Sequence, residues 1–152
     1  MEVIKDIRTR KGANLNLKGS AEKILDKTVL PTIFAIKPDN FFGTAPKLIL
    51  KEGATVKLGS PIFFNKKNPH IKFVSPVAGT ITSVIRGPKR KIENIIIKAS
   101  AKQDSIKYPV SGWDKKNRDD LKYLLANSGN WPFIHQRPYG IIANPTDTPK
   151  AI

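Results

Sequence analysis

The stretch from Leu48 to Ala99 constrains this chain more than any other. Short apolar runs alternate with polar residues, and glycine or proline punctuates them: Leu48-Ile49-Leu50, then Val56, then Ile62-Phe63-Phe64, then Ile71 and Phe73-Val74. Ile81, Val84, Ile92 and Ile95-Ile96-Ile97 carry the pattern onward. Spacing of this kind predicts short strands with one face on a core, and Val56 and Ile62 are expected to face that core. Gly53 and Gly59 supply the positive φ that sharp turns between strands require. Ser75-Pro76 followed by Gly79 marks a second tight turn, and a polar turn from Asn65 to His70 separates two similar halves. The prediction is a mainly β fold with minor α, flattened into two sheets.

The flanks read differently. Residues 1–46 hold short apolar runs, Val29-Leu30 and Ile33 to Ile36, broken by Pro31, Pro38 and Pro46. Prolines at that density forbid a long helix, so this segment is read as strand pieces and turns beside the barrel. Residues 47–107 are the barrel itself, and residues 108–152 a helix and linker leading into a further domain. Within the last segment Tyr108 to Gly112 is a linker. Asp114 is read as a helix N-cap, Lys115 to Asn127 as helical and Gly129 as the C-cap. Leu121, Leu124 and Leu125 give that helix its apolar face. Trp131 to Tyr139 is too proline-rich for helix and too aromatic for an ordinary loop, and Ile141-Ile142-Ala143 reads as the first strand of a next unit.

Charge narrows the function. The net charge is +15, and residues 47–107 hold 13 Lys/Arg against 3 Asp/Glu, so the excess sits on the barrel. A basic surface of this kind attracts phosphates, anionic lipid head groups or an acidic partner; the alternative is a solvated lysine coat. Cysteine is absent, which excludes disulfides and cysteine-ligated iron–sulfur clusters within the chain. The histidines, His70 and His135, have no paired metal spacing around them. No Gly-x-Gly-x-x-Gly precedes a helix, so no NADH or flavin site of that type is expected. Asp119-Asp120 read as solvated partners of nearby lysines rather than as acid/base catalysts. No run of about 18 apolar residues spans a bilayer. Met1 to Asp6 lacks an apolar signal region, from which a cytoplasmic location is expected.

The glycine-punctuated stretch resembles a biotinyl/lipoyl carrier barrel-sandwich domain. A more specific resemblance runs through several segments along the chain. Lys51-Glu52-Gly53-x-x-Val56-x-x-Gly59-x-x-Ile62, Asn65 to Pro69, Ser75-Pro76-Val77-Ala78-Gly79-Thr80 and Arg86-Gly87-Pro88-Lys89-Arg90 together are similar to the A subunit of the bacterial sodium-translocating NADH:quinone oxidoreductase. Lys11 to Gly19 resembles that family's N-terminal motif. Leu124 to Trp131 with Arg137-Pro138-Tyr139 resembles its helix-and-turn segment, and Asp147 to Ile152 the lead-in to its next domain. Asn65, where the family usually has an acidic residue, and Ser75, where it often has alanine, are mild departures.

The resemblance implies an N-terminal fragment of a peripheral subunit on the cytoplasmic face of the bacterial inner membrane. It implies docking on the other subunits of a six-subunit sodium pump. That complex passes electrons from NADH through flavins and an iron–sulfur centre to ubiquinone or menaquinone. The redox cofactors belong to other subunits; this one is associated with quinone handling and carries no cofactor of its own here.

Two sets of candidate residues follow. Flat rings beside prolines suit a quinone head group, which stacks and accepts hydrogen bonds at its carbonyls. This set comprises Phe41, Phe42, Trp131, Phe133, His135 and Arg137; the alternative is that they seal the seam between barrel, helix and next domain. Lys66, Lys67, Arg86, Lys89, Arg90 and Lys91 form the second set, for an anionic membrane surface or a neighbouring subunit. Lys66 and Lys67 occupy roughly the place of a carrier's modified lysine, but neither the Met-Lys-Met nor the Asp-Lys-Ala signature surrounds them. A nucleic-acid-binding barrel is the other rival; it wants exposed aromatics among the cations, whereas Phe63, Phe64 and Phe73 fall at core spacing, and no sequence-specific nucleic acid is expected.

Overall fold

The computed structural model describes residues 18–25, 31–109, 111–112 and 115–149. Most of the Lys11 to Gly19 motif, the Val29-Leu30 run and the expected N-cap Asp114 lie outside the described residues.

Seven strands form the β unit: β1 Ile33–Ile36, β2 Pro46–Leu48, β3 Thr55–Val56, β4 Pro61–Asn65, β5 Asn68–Val74, β6 Gly79–Arg86 and β7 Ile92–Ala99. They build two antiparallel sheets, one in the order β1-β7-β6-β3 and one in the order β2-β4-β5. Val56, Ile81, Ile92, Ile95 and Ile97 from the first sheet pack with Ile62, Phe63, Ile71 and Phe73 from the second in one buried cluster. Phe63 and Phe73 stack with their centroids 4.5 Å apart. The alternation read from the sequence is thus the alternation of buried and exposed faces.

β1 lies in the proline-punctuated N-terminal segment, yet it hydrogen-bonds along β7, with Ile33 opposite Lys98 and Ile36 opposite Ile95. Pro31 and Pro38 stand just outside it, where a missing N–H costs the ladder nothing.

Gly53 and Gly59 adopt φ of +83° and +87°, as their turns require. Gly79 has another reason to be glycine. It opens β6 within the ladder, opposite Ala99, rather than lying in a turn. A side chain there would meet the Lys98 carbonyl oxygen, with the carbonyl carbon 2.9 Å from the added Cβ. The close approach of two backbones forbids a Cβ.

The helix α1 runs Arg118–Asn127, three residues shorter than expected. Asn117 is its N-cap, accepting from the Asp120 N–H at 2.8 Å, and Asp119 and Asp120 sit in the first turn where the helix dipole favours them. Ser128 is the C-cap and Gly129, at φ +78°, follows it. The Asn130 N–H then returns to the Leu125 carbonyl at 3.2 Å, closing a Schellman motif. Ala126 is the buried residue of the helix, while Leu121, Leu124 and Leu125 are half-buried.

α1 packs on β5, and a 3₁₀ turn Trp131–Phe133 follows it against the same strand. Trp131 and Ala126 belong to the barrel's own buried cluster. Two short strands, β8 His135–Gln136 and β9 Ile141–Ile142, pair antiparallel beyond this turn. Tyr108 ties the linker to the helix by donating its hydroxyl to the Asn127 carbonyl at 3.1 Å. Burial raises this phenol above its ordinary value of 10, so the neutral donor is favoured and its contribution is lost only as pH rises through the raised value.

Candidate functional site

The aromatic set divides into packed and presented rings. Phe41 is half-buried, its ring edge-on to Phe73 at 4.6 Å. Trp131 is 7% exposed, and its indole N–H donates to the Ala143 carbonyl at 2.7 Å. Phe42 and Phe133 are exposed, at 71% and 72%. His135 and Arg137 are exposed as well. Phe41 and the Trp131–Phe133 turn both meet β5, so the fold draws the two segments onto one strand. The aromatic ring pairs among the described residues are Phe41–Phe73 and Phe63–Phe73, so the two candidate segments do not stack on one another.

Neither segment lines either of two hollows in the structure. One open groove, of about 340 Å³, lies between β5, α1 and the 145–146 turn, lined by His70, Asp119, Lys122, Tyr123, Ala126 and Thr146. Lys122 pairs there with Asp119 at 3.5 Å. Sequence reasoning misses this groove, because its residues come from three separate segments with no common motif. A second hollow is formed by Leu48, Lys51, Glu52, Val84 and Arg86. Among the described residues no three His, Asp or Glu side chains converge as a metal site would need.

The basic set occupies two hairpin tips. Lys66 and Lys67 are the turn between β4 and β5, both exposed. Asn65 holds that turn: its Oδ1 accepts from the Lys67 N–H and the Ala45 N–H, each at 3.1 Å, and it is 8% exposed. Asn65→Ala leaves two N–H groups without this acceptor, and is expected to cost about 2 kcal/mol. A denaturation midpoint unchanged from the parent would show that the tip does not depend on this side chain.

Arg86, Lys89, Arg90 and Lys91 surround the tip joining β6 to β7. The Lys91 N–H closes on the Pro88 carbonyl at 3.1 Å, with Lys89 at φ +53° and Arg90 at φ +61° between them. This is the I′ form of a two-residue turn, which suits Asn-Gly. Two long side chains in the left-handed region cost about 1–2 kcal/mol each. The double substitution Lys89→Asn with Arg90→Gly is therefore expected to raise unfolding stability by about 1 kcal/mol. A lower melting temperature for that variant would contradict the strain. Arg86 donates to the Arg90 carbonyl at 3.3 Å, and Lys91 pairs with Asp39 at 2.6 Å. The latter pair is more than half exposed at both ends and adds little stability.

Two small sheets sharing one core, with strands exchanged between them around Gly59 and Ser75, define a barrel-sandwich hybrid domain. Residues 7–100 match the family described as the NqrA N-terminal barrel-sandwich hybrid domain, and residues 116–152 match the NqrA second alpha/beta domain. The chain belongs to the NqrA family. Among curated relatives it is 28% identical over 149 residues to the A subunit of the Na(+)-translocating NADH-quinone reductase of Alcanivorax borkumensis. It is 30% identical to those of Pasteurella multocida and Photorhabdus laumondii, over 148 and 150 residues. Each match covers 96% of this chain and 33% of the relative, so the chain spans about a third of the length of those proteins.

Proposed function

We propose that this chain serves as the N-terminal part of the A subunit in a Na(+)-translocating NADH-quinone reductase, contributing subunit docking and quinone handling. The observation that carries this reading is the order and extent of the match: two successive NqrA domains, over almost the whole chain. The chain works as one part of a multisubunit oxidoreductase and is not catalytic alone. It has no cysteine with which to hold an iron–sulfur cluster within these residues, and we assign the flavins and iron–sulfur centre of such a complex to other subunits. No helix among the described residues is long and apolar enough to cross a membrane. That fits a peripheral subunit, which we assign to the cytoplasmic face.

Quinone handling falls to the presented members of the aromatic set. Phe42 and Phe133 offer ring faces, and Arg137 offers N–H donors to a quinone carbonyl. Trp131 has spent its N–H on Ala143 and supports the turn that carries Phe133. Both rings are exposed, and a quinone ring here is completed by a surface from a neighbouring domain or subunit.

Affinity purification of the full-length tagged protein from solubilised membranes tests the assignment. The expected result is co-purification with Na⁺-stimulated NADH:quinone reductase activity; purification without that activity would contradict it. A photoreactive quinone analogue on the same preparation is expected to label Phe42 or the Trp131 to Arg137 segment. Labelling confined to the barrel strands β1 to β7, or absent from this protein, removes both segments.

A further inference from the structure

The two basic hairpin tips are far apart in sequence, yet the fold brings them to one end of the barrel. β1 runs along β7 toward the β6–β7 tip, and the 3₁₀ turn Pro38–Asn40 delivers Asp39 to Lys91 there, at 2.6 Å. The chain then crosses to the other tip. The Ala45 carbonyl accepts from the Lys66 N–H at 2.7 Å, and the Ala45 N–H donates to Asn65. Six peptide units connect Asp39 to Ala45 and reach at most about 20 Å even when extended. Their path is shorter than that, because Phe41 closes on Pro38 and Thr44 closes on Phe41. Lys57, Lys98, Lys102 and Lys107 lie toward the opposite end, where β4 and β6 begin and β3 and β7 finish.

Phe42 sits in the middle of this bridge and is 71% exposed. Lys37 and the tip residues Lys66, Lys67, Lys89 and Arg90, on the segments that this bridge joins, are all exposed. Two carboxylates at this end, Asp39, which pairs with Lys91, and Glu93, whose side chain lies against Gly87 beside the β6–β7 turn, are outnumbered by these five cations. Lys66, Lys67, Lys89 and Arg90 line neither the groove beside α1 nor the hollow at Leu48. The β6–β7 turn holds Lys89 and Arg90 in a conformation that favours Asn-Gly, so two cations occupy this tip against the backbone's preference.

We infer that this end of the barrel, Phe42 with Lys66, Lys67, Lys89 and Arg90, is a contact site for an anionic lipid surface. An end carrying long exposed cations beside one exposed ring complements a plane that is anionic outside and apolar within. The ring enters the headgroup boundary while the cations stay at the level of the phosphates. An acidic protein groove or a nucleic acid shares the charge but gives a single isolated ring less to enter. The inference deepens the membrane setting proposed above and rests on it, but the binding is a property of the chain alone.

Co-sedimentation of the 152-residue chain with phosphatidylcholine vesicles, with and without about 30 mol% phosphatidylglycerol, tests it. The expected result is binding only to the anionic vesicles, falling steeply with salt. Each tip cation contributes roughly fivefold. Reversing Lys66, Lys67, Lys89 and Arg90 to Glu should therefore weaken binding more than a hundredfold, and Phe42→Ser severalfold. Reversing Lys57, Lys98, Lys102 and Lys107, with the same change in net charge, should cost far less. Equal losses from both quadruple variants would reduce the site to net charge and overturn the inference. Binding to duplex DNA or to an acidic protein without binding to either vesicle would overturn it too. Circular dichroism of each variant separates misfolding from lost contact, and the single substitution Phe42→Ser on the surface keeps the test alive if a quadruple variant fails to fold. Absence of vesicle binding alongside normal co-purification with the reductase would sink the lipid contact and leave the assignment to the reductase standing.

Discussion

Trp131→Ala is expected to destabilise the whole chain by about 3–5 kcal/mol, because it empties a large buried site in the shared core. The ring belongs to the same buried cluster as Phe63, Ile81 and Ile97, although it lies beyond the helix in sequence. Its N–H also closes residues 131–143 on themselves through the Ala143 carbonyl. The loss should therefore appear in the unfolding of the barrel and not only in the helical segment. Denaturant titration followed separately by a β-sheet signal and by the fluorescence of the remaining tryptophan is the check. Coincident transitions shifted to lower denaturant are expected. A barrel transition at the parental midpoint would mean that residues 115–149 dock without sharing the core. Trp131→Phe keeps most of the apolar volume and loses the N–H, and should cost less than half as much.

Gly79→Ala is the second large effect. The added methyl would meet the Lys98 backbone and lie 3.0 Å from the Ala99 Cα. Backbone cannot swing aside as a side chain can, so the start of β6 must separate from the end of β7 or shift register. Overpacking of this kind costs about 3 kcal/mol. The same separation disturbs the β3 pairing, since Val56 sits opposite Gly79 on the other side. Gly53→Ala is the natural comparison: open space surrounds that position, so only its φ of +83° is penalised, at about 1 kcal/mol. Thermal melts of the two variants should therefore separate clearly. Equal melting temperatures would show that β6 yields more readily than its geometry indicates.

The barrel was legible because burial on one face of a short strand leaves a period-two trace. Val56, Ile62, Ile71, Phe73 and Ile81 carry that trace and are all buried. What depends on distant partners left no such trace. Gly79 looks like any turn glycine until Lys98, nineteen residues on, is placed beside it. Asp114 and Asn117 are equally good cap types in the sequence, and Asn117 prevails with Asp119 and Asp120 behind it in the first turn. Trp131 reads as a ligand platform or as a core ring with equal ease. Its burial and the Ala143 carbonyl, twelve residues away, place it in the core. The candidate site was legible in residue type but not in arrangement. The two cationic tips were visible as runs, whereas their placement at one end depends on the path of residues 37–45.

If this chain is part of a sodium-translocating NADH-quinone reductase, as proposed, NADH-driven sodium uptake depends on it. Inverted membrane vesicles from cells lacking the encoding gene should show no NADH-driven accumulation of radioactive sodium above that seen without NADH. Uptake should return when the gene is restored, and should fall again with a Trp131→Ala version if that variant fails to fold at growth temperature. Sodium uptake at the full parental rate in vesicles lacking the gene would contradict the account.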